Sequence, residues 1–198
     1  MNVVFDFGNV IFRWAPHMVI AGVFDQQAER EQVMTQFIGH DDWLELDRGS
    51  LRPLEAISRA ASRTGLPAEK FARLLDRVPA SLAAITGSPE LLYRTKAAGN
   101  WLYFLSNMHH ASIDHLERAH VFWDVFEGGV VSCRVRMVKP EPQIYAHLLS
   151  EYQLDPADTV FIDDLSVNLA AAAQFGMRTI QFVDPAQCER ELQALGCM

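Results

Sequence analysis

The sequence predicts an α/β protein, a doubly wound parallel sheet with an all-helical insertion after its first strand. Three observations predict it. In the second half of the chain, short apolar runs alternate with helical stretches, the pattern of right-handed βαβ crossovers that place helices on both faces of a sheet. The first apolar run, VVF at residues 3–5, has no polar alternation and reads as a strand buried on both faces. Between that strand and the next, residues 14–86 show helical spacing and no strand. The chain therefore divides into a core of residues 1–13 and 87–198 and an inserted unit of residues 14–86.

Element by element, the first strand stops at Asp6, where Gly8 and Asn9 follow; both residue types tolerate a tight or left-handed backbone, so the turn displays Asp6 at its tip. The insertion breaks into helices at 16–24, 27–38, 41–46, 53–64 and 68–78, separated at Gly39, at Arg48-Gly49-Ser50 and at Gly65-Leu66-Pro67. A helix opens at Ser88-Pro89, with serine as its cap and proline in its first turn. The strand WLYFLSN follows, then a helix at 113–120, a short strand at 129–133, a helix at 141–152, a buried strand at 159–162, a helix at 166–175, a strand at 179–183 and a closing helix at 185–195.

Composition narrows the function classes. The 198 residues are 49% hydrophobic and 21% charged, as in an ordinary globular protein able to bury a sizeable core. A net charge of −8 argues against a general nucleic-acid or anionic-membrane surface, so any phosphate site must be local. Cys133, Cys188 and Cys197 are an odd set without C-x-x-C spacing, which suggests reduced thiols rather than a disulfide frame or zinc site. The first apolar run is too short to span a bilayer, contains Asp6 and lacks a basic leader. A cytoplasmic location is expected.

In a parallel α/β sheet, ligands gather at the carboxyl ends of the strands. Just beyond the strand ends of this chain stand Asp6, Ser106-Asn107, Lys139-Pro140 and Asp163-Asp164. A carboxylate, a hydroxyl, a lysine and a pair of carboxylates on one edge are what phosphoryl transfer to an aspartate requires. The carboxylate divides hydrolysis into two displacements through an acyl phosphate. Magnesium, a hard cation typically held by one or two carboxylates and the substrate phosphate, fits Asp6 with Asp164 and Asp163. Ser106 and Lys139 would hold the equatorial phosphoryl oxygens.

The order hhhhDxGNVh, hhLSN, a lone K-P and hhIDDxxxN resembles the four motifs of the haloacid dehalogenase-like superfamily, over nearly the whole chain. The helical insertion sits where that superfamily carries its cap, on a Rossmann-like core. More narrowly, DFGNVI, the RGS turn after Trp43-Leu44, MVKPEPQIY and FIDDLSVNLAAA are similar to the α-D-glucose-1-phosphate phosphatase branch and the phosphatase domain of soluble epoxide hydrolase. The resemblance implies that Asp6 is the nucleophile, that the Gly8 carbonyl and Asp164 are magnesium ligands with Asp163 in support, and that Ser106, Asn107 and Lys139 bind phosphate. Most phosphatases of the superfamily have an aspartate two residues after the nucleophile to protonate the leaving group. This chain has Gly8 there.

The expectation is thus a magnesium-dependent phosphatase acting on a small phosphorylated metabolite, such as a sugar phosphate. An anomeric hydroxyl leaves more readily than a simple alcohol, so the missing acid favours a glycosyl 1-phosphate. Two alternatives stand beside it. A 2-haloacid dehalogenase uses the same aspartate without metal, but gives the Asp163-Asp164 pair no cation to hold. A low-turnover binding protein would keep the phosphate site without the acid. Other features read as ordinary structure: His109, His110 and His115 as a solvated first turn, Trp14 and Trp43 as packing, Asp41-Asp42, Glu45 and Asp47 as a solvated acidic face, and Leu148, Leu149 and Tyr152 as core. Oligomeric state has no sequence signal.

Overall fold

A computed structural model describes residues 1–198. Its sheet has five strands, all parallel, in the order β3-β2-β1-β4-β5. These are β1 (Asn2–Phe5), β2 (Trp101–Ser106), β3 (Phe126–Val131), β4 (Thr159–Asp163) and β5 (Arg178–Gln181). Val3, Val4 and Phe5 are fully buried because β1 is the central strand and both of its faces are covered. One face packs into a core of 26 buried residues that includes Val3 and Phe5. The other packs into a core of 12 that includes Val4, Tyr145 and Phe161.

The register fixes where the chemistry lies. Phe5 is level with Phe104 on one side and Ile162 on the other, so Asp6, Ser106 and Asp163 emerge together at one edge.

The insertion contains α1 (Pro16–Ala21), α2 (Gln27–Val33) running into a π-helical turn (Met34–Ile38), α3 (Asp41–Arg48), α4 (Pro53–Thr64) and α5 (Ala68–Ser81). They close around a core of their own, 13 residues drawn from between Val19 and Val78. Its centre is aromatic, with Phe37 and Phe71 edge to face at 5.2 Å.

The core resumes with α6 (Ser88–Ala97), α7 (His110–Ala119), a 3₁₀ turn (Phe122–Val125), the short α8 (Ser132–Val135), α9 (Pro142–Glu151), a 3₁₀ turn (Pro156–Asp158), α10 (Ser166–Ala173) and α11 (Pro185–Ala194). Ser88 is not the cap of α6. That position belongs to Gly87, at φ 92°, and the Ser88 hydroxyl instead donates to the Val10 carbonyl at 2.6 Å, tying α6 to the turn after β1. β3 starts three residues before the expected position, at Phe126. Gly128 and Gly129 blank its apolar signal because rings press on them: a Cβ on Gly129 would stand 2.4 Å from Phe104, and one on Gly128 2.5 Å from Tyr152. No helix is long and apolar enough to cross a membrane.

Candidate active site

Asp6 follows β1 directly, and its Oδ1 accepts from the Phe7 backbone N–H at 2.7 Å and lies 2.8 Å from Lys139 Nζ. Its Oδ2 faces the turn, 3.8 Å from where a Cβ on Gly8 would stand. Lys139 Nζ also donates to Asp163 Oδ2 at 2.6 Å. All three groups are buried, with exposures of 6% for Asp6, 3% for Lys139 and 0% for Asp163. Such burial is costly for an ion unless it is paired and hydrogen-bonded.

Asp163 meets that condition. Besides Lys139, its carboxylate accepts from Asn168 Nδ2 at 3.0 Å to each oxygen and from the Leu165 N–H at 2.8 Å. The last bond closes the turn that leads into α10, so the same carboxylate both shapes that turn and holds the lysine. Burial opposes the Lys139 charge, but attraction to Asp6 and Asp163 outweighs it and keeps the ammonium protonated above its ordinary range. Asp6 goes the other way: burial raises it, Lys139 opposes and Asp163 adds, leaving it at about 7 in the absence of a cation.

Asp164 is more open. Its Oδ2 accepts from Asn9 Nδ2 at 3.1 Å, while Asn9 Oδ1 accepts from the Trp14 N–H at 3.0 Å. Asn9 sits at φ 52°, a left-handed turn position that asparagine tolerates. The only sequence sign of this role is the Gly8-Asn9 turn itself. Burial raises the Asp164 carboxyl, with the Asn9 bond opposing.

Asp6, Asp163 and Asp164 bring one carboxylate oxygen each to within 4.8 Å of one another. One lysine stands against these three acids, so the donor set suits a hard divalent cation. Beside it the Ser106 hydroxyl is buried with no hydrogen-bond partner, an orphan of the kind that a phosphoryl oxygen would satisfy.

Asn107 is placed differently from a free phosphate donor. Its Nδ2 donates to the Lys139 carbonyl at 2.9 Å, and its Oδ1 accepts from the Lys139 N–H at 2.8 Å. The side chain thereby clamps the segment that delivers the lysine.

The inserted helices close over this edge through α3. At the C-terminus of α3, Gly49 has φ 76° and lies against α8, where a Cβ would stand 2.6 Å from the Cys133 carbonyl oxygen; only glycine fits there. The Ser132 hydroxyl donates to the Asp47 carbonyl at 2.5 Å and accepts from the Met108 N–H at 2.8 Å. Arg48 makes a paired contact with Glu141, two bonds of 2.7 Å, next to the Lys139-Pro140 segment.

Between the closed layers is a cavity of about 80 Å³, lined by Gly8, Trp14, Trp43, Asp47, Met108 and His109 among others. Trp14 and Trp43 stack on each other at 5.6 Å. They combine packing with lining. Three expectations about this region are corrected. His109 is buried at the N-terminus of α7, which begins at His110 rather than Ile113, and burial lowers its imidazole to about 4; His110 is exposed and His115 half-buried. The acidic run is a solvated face only in part: Asp41 is exposed and Glu45 half-buried, but Asp42 is buried between Arg59 and Arg63. Asp47, half-buried as a residue, turns its carboxyl inward, toward the His109 N–H and the Trp43 indole, and the desolvation of that carboxyl pushes it up to about 7.

Comparison with known proteins came to the same framework. A sesquiterpene phosphatase of Aspergillus oryzae is 29% identical over 195 residues, covering 98% of this chain and 96% of that one. A bifunctional epoxide hydrolase of Rattus norvegicus is 44% identical over 68 residues, 34% of this chain and 12% of that one. Among solved structures, an enzyme of Bacteroides thetaiotaomicron in complex with magnesium and inorganic phosphate shares the fold with a TM-score of 0.69 at 21% identity, over 90% of this chain and 92% of that one. The L-2-haloacid dehalogenase of Xanthobacter autotrophicus shares it with a TM-score of 0.67 at 21% identity, over 98% and 82%. With the family model matched across residues 1–176, the chain belongs to the haloacid dehalogenase-like hydrolases.

Proposed function

We infer that the protein is a magnesium-dependent phosphatase that cleaves small phosphate monoesters through an aspartyl-phosphate on Asp6. The observation that carries the reading is the imbalance at the sheet edge: three carboxylates against one lysine, next to the unpartnered Ser106 hydroxyl. A dehalogenase needs no cation there, whereas a phosphatase does, since both nucleophile and substrate are anionic.

Asp6, the Gly8 carbonyl and Asp164 would hold the ion, which when bound neutralises carboxylate and phosphoryl charge together. Asp163, saturated with donors, supports that set from behind by fixing Lys139. Lys139 and Ser106 bind the equatorial oxygens where charge develops. Asp6 attacks phosphorus, the leaving oxygen departs, and water then attacks the same phosphorus to release phosphate and restore the carboxylate. The docked insertion, residues 14–86, serves as a cap that keeps bulk water from the acyl phosphate.

For the substrate, the absence of an acid from the β1 turn favours a glycosyl 1-phosphate, so far as the cap supplies none. A second reading has its own support. The cavity wall is largely apolar, with Trp14, Trp43, Val78, Leu82 and Met108, and the relative matched end to end is a sesquiterpene phosphatase. That combination suits the phosphate ester of an apolar alcohol. The test is a panel of glucose 1-phosphate, glucose 6-phosphate, farnesyl phosphate and an aryl phosphate, each assayed for released phosphate with magnesium. Preference for the 1-phosphate over the 6-phosphate supports the sugar reading, preference for farnesyl phosphate the apolar one, and no release from any ester contradicts the phosphatase.

A further inference from the structure

The sheet edge has a nucleophile, donors for phosphate and a set of cation ligands, but no acid for the leaving oxygen. Gly8 occupies the position two residues past Asp6. The cavity that opens at Gly8 is bounded on the cap side by a single carboxyl, that of Asp47. Resting on the phosphatase reading, we propose that Asp47 protonates the leaving oxygen in the first displacement and receives the proton of the attacking water in the second, so that the cap supplies the acid the β1 turn lacks.

Position is the first support. Asp47 is the penultimate residue of α3, and its own carbonyl is bonded to Ser132 on α8. Its neighbours Arg48 and Gly49 are locked to Glu141 and against Cys133. Residue 47 is therefore held at fixed depth over the sheet edge whenever the cap is closed, as an acid catalyst must be. Cap closure and acid delivery become one event.

The surroundings are the second support. The Asp47 carboxyl faces the His109 backbone N–H and the Trp43 indole. Just before α7 it meets the His109 backbone, whose imidazole burial keeps neutral, and from α8 the Cys133 thiol, also kept neutral by burial. The basic groups of the packed elements are engaged elsewhere: Arg48 with Glu141 and Glu45, Arg134 with Glu117 and Asp114, Arg59 and Arg63 with Asp42. The π-helical turn brings no ionisable group. No cation holds Asp47 ionised, and its raised affinity for protons lets it carry one near neutral pH and release it within a cycle, the property of an efficient general acid.

The steps balance. In the first, an Asp6 oxygen forms a bond to phosphorus while the bond from phosphorus to the leaving oxygen breaks; that oxygen takes the electron pair and the Asp47 proton and departs as an alcohol. In the second, water oxygen bonds to phosphorus as the Asp6 acyl phosphate bond breaks. The water proton goes to the Asp47 carboxylate, inorganic phosphate leaves, and both acids return to their starting states.

The experiment compares wild type with Asp47→Asn on two esters, p-nitrophenyl phosphate, whose leaving group needs no proton, and glucose 6-phosphate, whose leaving alkoxide does. The variant should lose about 10²–10⁴ in kcat on the alkyl ester, whereas on the aryl ester its burst of nitrophenol, which reports the first displacement alone, should stay within a few-fold of wild type. Wild-type kcat on the alkyl ester should fall above about pH 7 while the aryl burst rate does not, a readout that remains should the variant fail to fold. Equal losses on both esters, or identical wild-type pH profiles, would overturn the role of Asp47. Absence of phosphate release from either ester by the wild type would instead remove the phosphatase reading itself.

Discussion

Asn107 closes a two-bond ring with the backbone of Lys139, its amide nitrogen 2.9 Å from the Lys139 carbonyl and its amide oxygen 2.8 Å from the Lys139 nitrogen. The residue after β2 thus sets the position of a lysine that the sequence places 32 residues away. Asn107→Ala leaves both backbone groups without this partner, at a cost of about 1–3 kcal/mol in stability. Displacing the ammonium by about 1 Å costs up to about 10²-fold in rate. Phosphate release and thermal melting of the variant should show both losses together. A loss of rate with unchanged melting would instead make Asn107 a direct phosphate donor.

Lys139 itself is more than a phosphate ligand. From sequence alone, its removal should leave the melting temperature near normal. Its burial between Asp6 and Asp163 changes that expectation, because breaking a buried ion pair on one side costs about 3–5 kcal/mol. Lys139→Ala should lose about 10²–10³ in turnover and melt lower, with part of the stability regained on adding magnesium. A variant with wild-type turnover would sink the assignment.

The metal-free protein should show two opposed pH effects. Asp47 is raised from 3.8 to about 7 in the folded chain, so its stabilisation is full below pH 3.8 and is lost as pH rises toward about 7. His109 is lowered from 6.5 to about 4; its stabilisation is present above pH 6.5 and is lost as pH falls toward about 4. Melting curves in EDTA should therefore decline less toward neutral pH in Asp47→Asn, where the raised Asp6 carboxyl remains, and lose their decline toward acid pH in His109→Gln. Parallel curves for variants and wild type would show that neither group titrates on folding.

These residues also mark what the sequence could and could not disclose. Asp6, Ser106, Lys139 and the Asp163-Asp164 pair stood out because a polar group just after a buried apolar run has few other uses, and a parallel sheet gathers such groups at one edge. Asp47 did not, because an acidic residue in a helical acidic run is normally solvated. Its carboxyl meets His109 and Trp43 inside the fold, while α3 packs on α8 through Gly49 against Cys133, a contact across the chain that no local pattern encodes. Asn107 was legible as a site residue, but its clamp on Lys139 depends on how two loops meet. The early start of β3 was hidden for a similar reason: Gly128 and Gly129 are there to admit the rings of Tyr152 and Phe104 from elsewhere in the sequence.

Gly8 can be asked to restore what it lacks. Its φ lies outside the left-handed region, and a Cβ there would meet only Asp6 Oδ2, at an ordinary 3.8 Å. Gly8→Asp should therefore fold. Added to Asp47→Asn, it should raise turnover of glucose 6-phosphate well above that of Asp47→Asn alone and change the aryl ester little. An equal effect on both esters would mean that a carboxyl at this turn does not reach the leaving oxygen.

The central claim is that Asp6 performs metal-assisted phosphoryl transfer, and phosphate release from an aryl phosphate by wild type and Asp6→Asn, each with magnesium and with EDTA, tests it most directly. Asp6, Asp163 and Asp164 share one pocket with a single lysine, so magnesium should also raise the melting temperature by mass action on the folded state. The account predicts release by the wild type with magnesium only and none by a folded Asp6→Asn under either condition. Full wild-type activity in EDTA, or turnover by Asp6→Asn, would contradict it.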